Sequence, residues 1–590
     1  MAPDTAASAT LLRDGSASAQ DRCIARVLEF FGIASSACNP LDVFSWNGPV
    51  RAKSDKTRVL CSAKAFLELI QDLENNRDRK DDWSCPIHSA FIYPGDDLDD
   101  LRRLVRLLTG GELTAPGSAS FEAQDFIVTD EFDAFCGVMA GLRVNIPVAD
   151  SNAYSVSNIA GDAIPIISSR NGAFFLKSVY QGFPFFVSTS NEIVDIDAEL
   201  DSQNFDVRDH LLSAVPIALY TKWAFRNACW DVAEANACLI IDDPLLQRRY
   251  GCVDFERLLA AMEAHRFSTS IAFIPWNWRR SSPDIVRLFK ENAEKFSLSV
   301  HGCDHVRGEF GIDNRSRLYA KAKRALERMT NHARRTGLAH DCVMIFPQGV
   351  FSNAGMAALK QTDFIAAVNN DVVNADEGAA PVTVADVWGA AVMRYSDFPI
   401  FTRRYPWEGV ENFAFDLLLG KPALIVIHHE YCCDGCERLN KFVEVLNGLK
   451  CSLRWRNLGD VIRHSYWQRT VSCDRSEVEM YAKELVLENH SAERMQFHIR
   501  RRESNPADVK EIRSDANKVV HECRDGFVTF SIELGSGEST LIRIIMHELN
   551  EFAAVEENVA YRLKAGLRRY LSELRDNHIT PTRLRLIGSR

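Results

Sequence analysis

The chain has 590 residues, 46% of them hydrophobic and 25% charged, and a formal net charge of −11. That length exceeds one hydrophobic core and implies several domains. The net acidity argues against a nucleic-acid partner, and no stretch nears the roughly 18 apolar residues of a membrane span. The sixteen cysteines are too dilute for a disulfide scaffold, and most read as buried free thiols. The opening "MAPDTAASATLLRDGSASAQDR" lacks a basic start followed by an apolar core. Residues 1–22 are therefore expected to be a disordered lead-in, with the protein in the cytoplasm unless an unrecognised route exports it.

Residues 23–230 alternate apolar runs, such as "SAFIYP" (89–94) and "FPFFVSTS" (183–190), with helical patterns such as "DDLDDLRRLVRLLTG" (96–110). This predicts an α/β domain with a parallel sheet. It carries no phosphate loop and no nucleophile elbow, so no chemistry is assigned to it. "DVRDHLLSAVPIALYTKWAFRNACW" (206–230) reads as a long helix leading out of it.

Residues 235–470 repeat the alternation more regularly. Strands are expected at "ACLII" (237–241), "STSIAFI" (268–274), "SLSV" (297–300), "CVMIF" (342–346), "FIAAVN" (364–369), "PALIVI" (422–427) and "SLRWR" (452–456). Helical patterns separate most of them, which predicts a closed or nearly closed (β/α) barrel. Residues 471–590 switch to period-two alternation broken by Gly and Ser turns. They are expected to form a small β-rich domain ending in a surface helix over 557–577.

Barrel chemistry gathers where strands end. Asp242-Asp243 follows the first strand, Trp276 and Trp278 the second, "HGCDH" (301–305) the third, "PQG" (347–349) the fourth, and His428-His429 the "PALIVI" strand. His301 and His305, four residues apart, can converge on one ion, and Asp243 can complete a set suited to Zn²⁺ or a similar divalent ion. Asp242 would lie beside that ion as a general base, with His428 or His429 opposite to protonate a leaving group. The bland readings are a turn for "DD" and a surface or core pair for the histidines. Their placement on successive strand ends favours the metal site. "CCDGC" (432–436) offers one cysteine pair, short of the two that a structural zinc usually needs.

Two aspartates at one strand end, then H-x-x-x-H, a Pro-Gly loop and a late histidine resemble the polysaccharide deacetylase superfamily over about residues 235–470. The resemblance implies a distorted (β/α) barrel and hydrolysis of N-acetyl or other acyl groups on a sugar or polysaccharide, with a metal-bound water as nucleophile. It implies Asp242 as base, Asp243, His301 and His305 as metal ligands, and His428, with His429 as competitor, as acid. Pro347 and Gly349 match the groove motif, and Trp276 and Trp278 are candidates to stack on sugar faces. The sequence departs from the family at Pro244, Gly302 and Ile345. Ile345 stands where the groove arginine orients the base, and Arg279, Arg280 and Arg394 are the candidate replacements. The alternatives are a carbohydrate-binding or assembly protein with a relic site, and an amidohydrolase acting on a non-sugar C–N bond.

Overall fold

The computed structural model describes residues 8–13, 15–42, 57–77, 87–114, 124–146, 153–200, 202–376, 378, 381–549 and 559–580. The lead-in expectation needs correction. Residues 1–7 and 14 lie outside the described part, but Ala9–Leu12 is a buried strand paired in parallel on both sides. Ala19–Phe30 is a helix whose Ser18 and Asp21 form a capping box. Small residues suggested disorder, yet "ATLL" suits a central strand as soon as both edges are paired.

The expected parallel sheet is half right. Ser35–Cys38, Ala9–Leu12, Thr57–Ser62, Ile87–Tyr93 and Phe183–Ser188 run parallel in that spatial order. Beyond them the sheet continues antiparallel through Gly172–Tyr180, Ile164–Ser169 and Gln124–Val128 to Arg143–Ile146. The change of direction is local turn chemistry. Gln181 and Gly182 both have positive φ, 45° and 82°, the backbone that a two-residue hairpin turn requires.

Helix α1 (Leu211–Phe225) is apolar all round and buried almost throughout, as befits a helix covered on every side. It packs on the first sheet and on elements of the barrel that follows.

The barrel strands are β1 (Ala235–Asp242), β2 (Thr269–Phe273), β3 (Phe296–His301), β4 (Val343–Ile345), β5 (Ala366–Asn369), β6 (Ile400–Thr402) and β7 (Ala423–Ile427). Neighbours pair in parallel from β1 to β6, and β7 pairs with β1. The ring closes just past β6, where Arg404 N donates to Leu424 O and Val426 N to Arg404 O, each at 2.9 Å. The expected strand at 452–456 is outside this ring: Leu453–Trp455 pairs with the first residues of β1. The seventh barrel strand is instead β6, whose "FPIFT" was obscured by its proline.

Residues 467–546 form a five-stranded and a four-stranded sheet around their own core. Helix α2 (Val559–Leu574) is no free surface helix, because it returns to the barrel mouth. A disulfide joins Cys252, in the turn of a short hairpin that follows β1, to Cys433 after β7. Within "CCDGC", Cys432 and Cys436 remain buried thiols. Among the described residues no helix is long and apolar enough to cross a membrane.

Candidate metal centre

His301 ends β3, so the strand fixes its backbone. Its Nδ1 lies 3.1 Å from the Ile345 carbonyl. A carbonyl only accepts, so Nδ1 carries the proton and Nε2 presents a lone pair, the arrangement that orients an imidazole ligand. That Nε2 lies 3.1 Å from His305 Nε2. Asp243 Oδ1 is 3.0 Å from His305 Nε2 and 3.7 Å from His301 Nε2, and among the described residues it has no well-aligned hydrogen-bond donor. Two imidazole nitrogens and one carboxylate oxygen thus face a common point within 4.8 Å of one another. Two neutral imidazoles and a carboxylate can each turn a lone pair to that point, so the residues fit a divalent ion.

The loop holding this triad is under local constraint. Asp243 and His305 both lie in the left-handed region, with φ of 81° and 57°, which costs on the order of 1 kcal/mol or more per residue and needs outside support. Glu309 supplies it. Its carboxylate accepts from the backbone N–H groups of Cys303, Asp304 and His305 at 3.1, 2.8 and 3.1 Å, and Lys321 pairs with it at 3.2 Å. Asp304 is held by Arg328 at 2.6 Å and is a strut, not a ligand. Gly302 answers its own oddity. It has a φ of 63°, and a Cβ there would lie 2.5 Å from Pro347 Cγ and from Glu309 Oε2. The serine or threonine usual in the resembled family does not fit.

Asp242 is 3% exposed and is clamped by Arg403, whose Nη1 and Nη2 each donate at 2.7 Å to its two oxygens. Burial alone would raise the Asp242 pKa. Arg403, His301 and His428 outweigh it and hold the carboxyl below its usual range. Asp243, also buried, is pulled well below that range by His305 and His301, with a further contribution from Arg569 of α2. Burial, with His305, pushes the His301 pKa down to about 4, which leaves a neutral imidazole free to ligate.

The two histidines after β7 part company. His428 acts electrostatically on Asp242, and Tyr405 Oη lies 3.5 Å from its Nε2. His429 is buried against the Tyr250 ring, with Nε2 3.6 Å from Asp576. The proposed replacements for the groove arginine are all otherwise engaged: Arg280 pairs with Glu573, Arg394 with Asp386, and Arg279 lies over the Trp278 ring. Arg403, one residue past β6, is the arginine that holds the Asp242 carboxylate. Pro347 is buried beneath Gly302, and Gly349 O accepts from Asn369 Nδ2 at 2.8 Å.

Helix α2 covers one side of the mouth. Tyr561 Oη donates to Asp304 at 3.1 Å, Arg280 Nη2 to Glu573 at 2.8 Å, and Tyr250 Oη to Asp576, just beyond α2, at 2.8 Å. Tyr570 meets Trp276 edge-on at 6.1 Å. Trp276 therefore lies under the helix, while the Trp278 carbonyl is tied to Arg335 at 2.9 Å.

No protein-family model matches the chain, and no curated protein matches it. Among solved structures it is similar to Agd3, described as a novel carbohydrate deacetylase, at 10% identity over 92% of this chain and 99% of that one, with a TM-score of 0.44. It is also similar to a family 4 carbohydrate esterase from Streptomyces lividans, at 12% identity over 38% and 92% of the chains, with a TM-score of 0.24. The peptidoglycan deacetylase PdaC from Bacillus subtilis gives 10% identity over 39% and 91%, with a TM-score of 0.24.

Sequence reasoning missed Arg403, the bracing role of Glu309, and the place of α2 at the barrel mouth. "FPIFTRR" (398–404) is an apolar run followed by charge, as at the ends of β1 and β3, but its proline breaks the strand pattern.

Proposed function

We propose that this chain is a metal-dependent hydrolase that removes an N-acetyl or other acyl group from a sugar or polysaccharide. The observation that carries the reading is the convergence of Asp243, His301 and His305 on one point beside an arginine-clamped Asp242. Two nitrogens and one carboxylate oxygen suit zinc, with open positions for water and substrate. A bound ion supplies Lewis acidity and lowers the pKa of water.

The chain's own residues do the rest. Asp242, kept anionic and fixed in orientation by Arg403, takes the proton of the attacking water. His428, within electrostatic reach of Asp242, gives a proton to the leaving amine. His429, enclosed by Tyr250 and Asp576, is a structural neighbour in this scheme. A relic site has no need of a buried ion pair rebuilt from another strand, so Arg403 favours an active enzyme. The Cys252–Cys433 disulfide favours an oxidising compartment over the cytoplasm expected above.

The test is metal content by mass spectrometry on the wild type, Asp243→Ala and His301→Ala, with acetate release from N-acetylated glycans and from non-sugar amides. About one equivalent of a divalent ion, lost in both variants, with acetate released from a glycan, is the expected result. Metal absent, or retained in both variants, overturns the mechanism. Release from non-sugar amides alone overturns the substrate class.

A further inference from the structure

The turn after β6 holds more than the base clamp. Arg403 grips Asp242. Arg404, buried, donates to Asp416 at 2.7 Å and to the Phe205 carbonyl at 2.7 Å, which anchors the turn. Tyr405 reaches His428, and its backbone N–H donates to Glu408 at 2.8 Å. Trp407, on the short Pro406–Glu408 helical turn, stacks on Tyr405 with ring centres 4.2 Å apart and planes 12° from parallel. Tyr431, after β7, stands 6.1 Å from the Trp407 ring at 45°. Three aromatic rings thus form a shelf leading away from His428.

Trp407 is 62% exposed. A lone exposed aromatic residue needs no explanation. This one differs because its orientation is fixed in advance: one face is occupied by Tyr405, the turn is pinned by a buried arginine, and the shelf begins at the acid of the proposed reaction. Helix α2 covers the mouth beside the ends of β2 and β3, where Tyr570 meets Trp276 edge-on and Tyr561 reaches Asp304.

We infer that Tyr405, Trp407 and Tyr431 form a sugar subsite, in which the C–H face of a pyranose ring adjoining the acylated unit packs on Trp407. The inference rests on the proposed deacylation. The broad, electron-rich face of indole suits the weakly positive C–H surface of a sugar ring. A shelf fixed beforehand costs little ordering on binding. The ligand is accordingly an oligomer or polymer of at least two units, bound with its second ring beyond His428.

The experiment uses N-acetylglucosamine and N-acetylgalactosamine oligomers of one to four units. Binding is read by saturation-transfer NMR and turnover by acetate release, on the wild type, Trp407→Ala and Trp407→Phe. Affinity and 1/KM should rise from one unit to two or more in the wild type. Trp407→Ala should reduce that gain about tenfold, and Trp407→Phe should restore most of it. The same chain-length gain in Trp407→Ala overturns the shelf while leaving the deacylation reading intact. Chain-length-dependent binding through Trp407 without acetate release overturns the deacylation reading and keeps the shelf. Neither binding nor release in both series overturns the two together.

Discussion

Arg403 shows how a function can keep its geometry and lose its motif. The resembled family orients its base with an arginine at the end of the fourth strand, where this chain has Ile345. Here a bidentate guanidinium arrives from β6 instead. The planar fork matches both carboxylate oxygens, which a lysine cannot do. Arg403→Ala should lower kcat/KM for acetate release by about 100-fold, with Arg403→Lys recovering only a small part. Metal content should stay at the wild-type level in both, because Asp242 is outside the Asp243–His301–His305 cluster. Loss of metal in Arg403→Ala would show that the residue holds the fold of the mouth and not the base. The sequence disclosed the triad because its ligands lie within or directly after strands, at short spacings. Arg403 was illegible because its partner is 161 residues away and its strand begins beside a proline.

At the scale of elements, α2 is the piece whose role the pattern hid. Its periodicity reads as a surface helix, and its outer face does expose Leu563, Leu567, Leu571 and Leu574. Only the structure reveals that the other face, with Ala565, Arg569 and the adjoining Asp576, is buried on the barrel mouth. A helix held chiefly by a few polar contacts opens locally at lower cost than the barrel does. Weakening its grip with Arg280→Ala plus Asp576→Asn should therefore speed the loss of bound metal to a chelator about tenfold, with no change in the thermal midpoint of the barrel. Equal rates in the two proteins would mean that ions reach the triad from another side.

Across the whole molecule, the barrel and the C-terminal sheets are joined through buried charge. Lys360 pairs with Glu503, and Glu503 with Arg501 at 3.0 Å. The charged run "HIRRRE" (498–503) has the composition of a solvated strand. The strand is there, but alternation carries Arg501 inward, to 1% exposure. Beside this cluster Lys483 donates to the carbonyls of Lys360 and Thr362. Burial, reinforced by Arg501, lowers the Lys483 pKa to about 7. Below pH 7 both the folded and unfolded states carry this proton, and the folded state bears the full cost of the buried charge. Between pH 7 and about 10.4, the ordinary lysine value, only the unfolded state keeps it, so stability rises with pH. The wild type should gain stability relative to Lys483→Met as pH rises from 6 to 9.5 in urea unfolding. A constant difference would mean that Lys483 stays charged in the folded state.

The Cys252–Cys433 bond has a practical side. It tethers the turn that carries His428 and Tyr431 to the hairpin beside β1, so the choice of preparation buffer is also a choice of active-site architecture. Thiol reductants added by habit, or production in a reducing host, would yield protein with an intact barrel and a slackened turn after β7. Two laboratories with the same plasmid could then measure different turnover numbers, each reproducibly.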